Sequence, residues 1–185
     1  IIIYFYRFLK NNIRKMTFLP TNKSDISSIL KIIEEAQAYL AMQNIDQWQN
    51  GYPNEKAILK DMLTNDSYVV KTKEETAIAT AMFTTQTEPT YSSIEGNWKT
   101  KNNATYGVIH RMAVSNKFRG KGIAKFIFFQ CEQNLKQNNI KSMRIDTHEE
   151  NLEMQGLLKK LGYHYCGVIY LENNDKRLAF EKLIS

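Results

Sequence analysis

The segment Arg119, Gly120, Lys121, Gly122, Ile123, Ala124 and Lys125 sets two glycines among three cations, at a point where one periodicity gives way to another. Upstream, residues 106–114 (YGVIHRMAV) are apolar, β-branched or aromatic in the main and predict a strand. Downstream, Ile123, Ile127, Cys131 and Leu135 recur at helical spacing. A strand that feeds a glycine-bearing turn into a helix can hold an anion. The first helical turn leaves backbone N–H groups without partners, the helix dipole adds positive character, and glycine lets a ligand approach the backbone closely. Arg119, Lys121 and Lys125 add charge, so the expected ligand is a phosphate or pyrophosphate.

Phosphate-binding turns differ in their spacing. A P-loop requires GxxxxGK followed by Ser or Thr, and no segment of the chain fits. A dinucleotide fold requires GxGxxG. Gly120 and Gly122 supply its first two glycines, but Lys125 stands where close helix-to-strand packing requires a small residue. Asp146, near the end of the next strand, could imitate the ribose-binding acid, so a dinucleotide-binding protein stays open as an alternative.

The elements that must position this turn follow from the pattern. A short strand over 16–20 precedes a helix start at Ser24 and Asp25, with Ile26, Ile29, Leu30, Ile33 and Leu40 on one face. A second helix follows Pro53 and Asn54, with Ile58, Leu59, Met62 and Leu63 expected inward. Between them, Trp48 and Tyr52 sit in a polar, glycine-containing connection, either as a hydrophobic plug or as a substrate-pocket wall. Residues 67–73 and 76–84 read as a strand hairpin, and 86–103 as a long polar loop holding Tyr91 and Trp98. A strand over 141–148 and a helix opening at Asn151, with Met154, Leu157, Leu158 and Leu161 on one face, lead to Gly162 as a glycine cap. Two strands, 163–171 and 177–184, close the chain around a turn containing Asn173, Asn174 and Asp175. The strand–helix–strand unit from 106 to 148 predicts a parallel pair inside a mixed α/β sheet.

With 185 residues, 43% of them hydrophobic and 24% charged, the chain suits one packed domain rather than a disordered or fibrous one. The net charge of +6 is spread along the chain, which favours a solvated basic surface over a nucleic-acid patch. Cys131 and Cys166 lie in apolar segments without CxxC spacing, which fits reduced thiols in the cytoplasm rather than a disulfide or zinc site. His110, His148 and His164 are too scattered for a metal cluster, and no metal is expected. The apolar start of the chain is too short for a membrane span, which takes about 20 residues, and its charges follow the apolar run instead of preceding it. Residues 1–15 are expected to be a non-core extension ahead of a domain over 16–185, and no membrane association is expected.

Arg119-Gly-Lys-Gly122-Ile-Ala124 resembles the (Gln/Arg)xxGx(Gly/Ala) signature of the GNAT superfamily, the acetyl-CoA-dependent N-acetyltransferases. The preceding strand ending Met112-Ala113-Val114, the later strand RIDTH, and Asn151 leading a helix that ends Lys-Leu-Gly-Tyr are similar to the family's cofactor core in order and spacing. The resemblance covers most of 16–184 in architecture and about 106–165 in motifs. It implies a twisted mixed sheet flanked by helices, with a central parallel strand pair splayed around the pantetheine arm of acetyl-CoA. Backbone groups of Met112, Ala113 and Val114 would bond that arm, the turn from Arg119 to Lys125 would hold the pyrophosphate, and Asn151 would reach the cofactor. The implied reaction is direct acetyl transfer to a primary amine, on a small molecule or a peptide, with no covalent enzyme intermediate. A homodimer is an expected assembly. The alternative from another class is a non-catalytic acyl-CoA-binding or RNA-associated module on the same fold.

Two positions depart from the family's pattern. Where relatives carry a glutamate base, six residues before the position of Val114, this chain has Val108. His110 lies two residues further on and hence on the same strand face, and imidazole titrates near neutral pH, so His110 is the candidate general base. Where relatives carry a tyrosine acid, seven residues after the helix asparagine, this chain has Leu158; Tyr163 and Tyr165 are possible substitutes. A thiolate leaves tolerably without an acid because a thiol titrates near 8.5. His148, Glu149 and Glu150 are read as a polar turn. Trp48 and Tyr52 are the candidate substrate-binding residues.

Overall fold

The computed structural model describes residues 16–73, 76–101 and 103–185. The expected extension over 1–15 therefore lies outside the described residues. The strands are β1 (Thr17–Pro20), β2 (Ser67–Lys71), β3 (Ala77–Thr84), β4 (Glu95–Gly96), β5 (Gly107–Val114), β6 (Ser142–Thr147), β7 (His164–Tyr170) and β8 (Lys176–Leu183). The helices are α1 (Ile26–Met42), α2 (Glu55–Leu63), α3 (Ile123–Gln137) and α4 (Leu152–Lys160). One mixed sheet carries the strands in the order β1-β2-β3-β5-β6-β8-β7-β4. The expected parallel pair is present in its middle: Gly107 pairs with Met143 and Val108 with Arg144, while β6 and β8 run antiparallel.

Contacts divide the chain into two compact units. Among the described residues, the first takes those up to Asn44, Trp48–Met82 and Arg111–Gln130; the second takes Ile45–Gln47, Phe83–His110 and Cys131–Ser185.

In the first unit, α1 begins after a 3₁₀ turn over Lys23–Asp25 in which the Asn22 N–H donates to Asp25 Oδ2 at 3.0 Å. The cap therefore sits two residues before Ser24, because Asn22 and Asp25 have the spacing for it. Ile29 and Ile33 of α1, Ile58 of α2, Val69 of β2 and Ala77 of β3 form the core, with Met62 against it. Asn54 Oδ1 accepts the Ala57 N–H at 3.2 Å and starts α2. The predicted inner face of α2 needs correction. Leu59 and Leu63 face solvent, Leu63 at 85% exposure, and Asp61 is buried in their stead. An ion pair between Asp61 and Arg111 turns the helix that way.

In the second unit, Tyr91, Trp98, Tyr106, Val108, Cys166, Ile169 and Ala179 make the core. The 86–103 segment is thus more than a polar loop. It contains a 3₁₀ turn over Pro89–Ser92 and the strand β4, and Trp98 Nε1–H donates to the Tyr91 carbonyl at 3.0 Å. Its aromatics outweigh its polar residues, since fully burying one large apolar side chain is worth about 1.5–3 kcal/mol. Beside them, the buried Arg144 guanidinium lies 4.4 Å from the Trp98 ring centroid and 4.1 Å from that of Tyr106, and pairs with Glu181 at 3.4 Å. Glu181 also accepts hydrogen bonds from Ser142, Thr100 and the Lys99 N–H, so the buried pair has its remaining valences filled. Helix α3 comes so close to β5 that a Cβ on Gly107 would stand 2.7 Å from Leu135.

Candidate functional site

The glycine turn belongs to the first unit. After β5, whose end is pinned by the Ser115 N–H donating to the Ile78 carbonyl at 2.9 Å, the chain makes a 3₁₀ turn over Asn116–Phe118. Gly120 (φ 70°) and Gly122 (φ 81°) then take the left-handed conformation. A Cβ on Gly120 would meet no atom within 4 Å, so the backbone angle and not crowding calls for glycine there. Helix α3 follows at Ile123, and the Phe126 N–H donates to the Gly122 carbonyl at 3.0 Å. The N–H groups of Ile123, Ala124 and Lys125 come earlier and have no acceptor within the helix.

Helix α1 clamps this turn from one side. The Asn116 N–H donates to Glu35 Oε2 at 2.7 Å, and the Arg119 guanidinium carbon lies 3.3 Å from the Tyr39 ring centroid. Arg119 thus stacks on α1, a contact its sequence position did not signal. Lys121 and Lys125 are exposed, with Lys121 Nζ donating to the Lys117 carbonyl at 2.8 Å. Helix-start N–H groups without intrahelical acceptors, beside two exposed lysines, suit the oxygens of a pyrophosphate. Of the strand residues expected to line the cofactor, Ala113 is buried, while Met112 and Val114 are half-buried.

Tyr52 and Arg111 form a second feature of this unit. Arg111 Nε and Nη2 donate to Asp61 at 2.8 and 2.6 Å, and Nη1 donates to the Tyr52 hydroxyl. Arg111 has φ 50°, a left-handed conformation that costs a non-glycine residue about 1–3 kcal/mol, and the bidentate pair offsets it. Regular strand alternation, on which the sequence reading relied, is broken at this residue. Tyr52 is held in place while remaining 40% exposed, and Trp48 is half-buried. Gln49 Nε2 donates to the Gln37 carbonyl at 3.1 Å and Gln37 Nε2 to that of Pro53 at 3.3 Å, which ties this loop to α1.

In the second unit, His110 on β5 meets residues from two other segments. Its Nε2 is 3.1 Å from Glu88 Oε2, and its Nδ1 is 3.9 Å from Asp146 Oδ1 on β6. Asp146 Oδ1 accepts the Tyr91 hydroxyl at 2.7 Å, and the Tyr91 ring centroid lies 6.2 Å from that of His110. The His110 hydrogen bond, helped by Thr90 and opposed by partial burial, holds the Glu88 carboxyl below the usual glutamate range. Burial, with the Asp146 carboxylate, pushes the Tyr91 phenol well above its ordinary value, so it stays a donor. Glu88 was missed in the sequence because a lone glutamate in a polar stretch has no spacing to mark it.

Asn151 caps α4: its Oδ1 accepts the Met154 N–H at 3.1 Å and its Nδ2 donates to Gln47 Oε1 at 3.0 Å. Leu158 is fully buried. Tyr163 is buried and its hydroxyl donates to Glu132 at 3.1 Å, whereas Tyr165 is exposed and lies edge-on to Phe180. Glu149 pairs with Lys176 at 2.8 Å on the surface, and His148 Nδ1 accepts the Glu150 N–H at 3.2 Å, as the polar-turn reading expects. Cys131 is buried, and that burial pushes its thiol up and disfavours the thiolate a nucleophile needs. Among the described residues, no group of three His, Cys, Asp or Glu side chains is placed to hold a metal, and no helix is long and apolar enough to cross a membrane.

Comparison with known proteins matches this arrangement to one family. The model of the Acetyltransferase (GNAT) family matches residues 33–163. A GNAT-family acetyltransferase from Streptococcus agalactiae 2603 is 36% identical, covering 92% of this chain and 96% of that chain, with a TM-score of 0.81. The chain belongs to the GNAT acetyltransferase family. More distant structures share the fold. They include the NatC complex bound to Gag peptide and CoA (15% identity, 92% and 99% coverage, TM-score 0.66). The ribosomal-protein-S18-alanine N-acetyltransferase from Escherichia coli is another (11% identity, 92% and 94% coverage, TM-score 0.62). A search of curated proteins found no match.

Proposed function

We propose that the chain transfers an acetyl group from acetyl-CoA to a primary amine by direct attack. The observation that carries this reading is the turn itself: two left-handed glycines lead into a helix start, whose first N–H groups lack intrahelical acceptors, beside two exposed lysines, in a chain of the GNAT family. In this reading the N–H groups of 120–125 hold the pyrophosphate, and the backbone of Met112, Ala113 and Val114 binds the pantetheine arm as an added strand would. Arg119 acts chiefly by holding the turn against Tyr39. Acetyl-CoA supplies an activated thioester carbonyl.

The acceptor arrives as an ammonium ion and must lose a proton before it can attack. His110 is the group proposed to take that proton. The nitrogen–carbon bond then forms as the carbon–sulfur bond breaks, with the electron pair going to sulfur; the second proton leaving nitrogen neutralises the thiolate. Tyr52 and Trp48 are proposed to face the acceptor. The two free buried thiols suit a reducing compartment such as the cytoplasm.

Calorimetric titration with acetyl-CoA tests the proposed turn. Gly122→Glu adds a side chain at φ 81° and a negative charge beside the phosphates, and it should abolish binding that the unmodified chain shows. Equal affinity in both proteins would refute the assignment.

A further inference from the structure

His110 is held by a carboxylate that is itself held. Glu88 lies at the N-cap of the Pro89–Ser92 turn, where its Oε1 accepts the Thr90 hydroxyl at 3.0 Å and the Thr90 N–H at 3.4 Å. Its own N–H donates to the Tyr106 hydroxyl at 3.1 Å. With one carboxylate oxygen and the backbone fixed, Oε2 is left facing His110 Nε2 at 3.1 Å. A carboxylate can only accept, so in the neutral imidazole the hydrogen sits on Nε2 and the lone pair on Nδ1. Nδ1 faces Asp146 Oδ1 across 3.9 Å, too far for a direct hydrogen bond. Two acceptors at that spacing can share one donor-rich group, since a nitrogen about 2.9 Å from each fits between them.

From these contacts we infer that Glu88 is a positioning residue that fixes His110 in the Nε2–H tautomer, making Nδ1 the proton-accepting atom, and that Nδ1 and Asp146 together receive a cationic primary ammonium. The inference rests on the acetyl-transfer reading and deepens it, naming both the base atom and the charge of the acceptor. The proton leaves the substrate nitrogen for Nδ1 and forms an imidazolium whose positive charge lies between Glu88 and Asp146. Among the described residues, the titratable groups facing the ring are Glu88, Asp146 and Tyr91. Tyr91 holds Asp146 Oδ1 in place through its hydroxyl. Neutral or anionic acceptors gain nothing from Asp146.

Heteronuclear NMR of the imidazole nitrogens, on the ligand-free chain at alkaline pH, reads the tautomer without any substrate; His110→Ala identifies the signals. The expected result is a protonated Nε2 in the unmodified chain and a tautomer mixture in Glu88→Gln. In thiol-release kinetics, Glu88→Gln should lower kcat about tenfold, as for loss of one hydrogen bond to a charged group. KM for acetyl-CoA should stay unchanged. Glu88→Asp, which keeps the charge, should fall between the two. Asp146→Asn should raise KM for the amine about tenfold while leaving the tautomer as it is. A protonated Nδ1 in the unmodified chain, or a Glu88→Gln protein with unaltered tautomer and kcat, would overturn the inference. An Nε2–H ring without transfer to any amine would contradict the acetyltransferase reading and leave the positioning by Glu88 standing.

Discussion

His110 is the residue on which the proposed chemistry turns. Val108 two positions earlier is fully buried in the aromatic core, whereas the His110 side chain keeps 21% exposure, enough to meet an incoming amine. His110→Ala should lower kcat/KM by about 10²–10⁴ and remove the acidic limb of the pH profile, while calorimetric affinity for acetyl-CoA holds. An unchanged profile would place the base elsewhere. His110 could be named as the candidate base from sequence because period-two alternation carries it onto the face of Val108 and it is the titratable residue there. Its partners were not. Glu88 is 22 residues away in sequence and Asp146 lies on another strand, and nothing local to either residue records that they meet one ring. Arg111 was equally opaque, since a positive φ at a non-glycine residue depends on the distant Asp61.

At the scale of elements, the glycine turn is held by backbone angle from within and by α1 from outside. Two substitutions of the same kind should have opposite signs. Gly120→Ala puts a Cβ at φ 70° in open space and should cost about 1–2 kcal/mol in urea unfolding, because the left-handed backbone alone opposes it. Gly156→Ala, in the interior of α4 and also with open space around the new Cβ, should stabilise by about 0.5–1 kcal/mol through the helix preference of alanine. Equal costs at both positions would contradict the conformational account of the turn. Most elements were readable because their apolar periods are regular, as in α1 and α3. The 86–103 segment was misread since its polar average gives no sign that Tyr91 and Trp98 within it are buried, and that burial decides its structure. The face of α2 was misjudged because Asp61 turns inward to meet an arginine 50 residues later.

For the whole molecule, acid should be the weak side of stability. Glu88 is held below the ordinary glutamate value mainly by His110. Glu181 is also lowered: burial pushes it up, but hydrogen bonds from Ser142, Thr100 and Lys99, with Arg144 nearby, more than reverse that. A group depressed in the folded state binds its proton more readily when unfolded. Its contribution is therefore fully present above the unfolded value, about 4.3, and is lost as pH falls through the lower folded value. Urea midpoints should hold from pH 7 to about 5 and then fall toward pH 3, and Glu181→Gln should flatten that fall. A flat midpoint in the unmodified chain across this range would contradict the assignment. At this scale the mixed sheet with a central parallel pair was legible from the strand–helix–strand unit, and the family from the motif with its flanks. The division into two compact units was not, because each is assembled from three separated stretches whose contacts no local pattern encodes.

The most direct measurement is amine-dependent thiol release from acetyl-CoA, run with the unmodified chain over small polyamines, amino acids and peptide amines, with the acetylated product identified by mass. A saturable rate with at least one cationic primary amine, absent in Gly122→Glu, is the predicted result. Release no faster than amine-free hydrolysis with every acceptor, in a protein that binds acetyl-CoA, would contradict it.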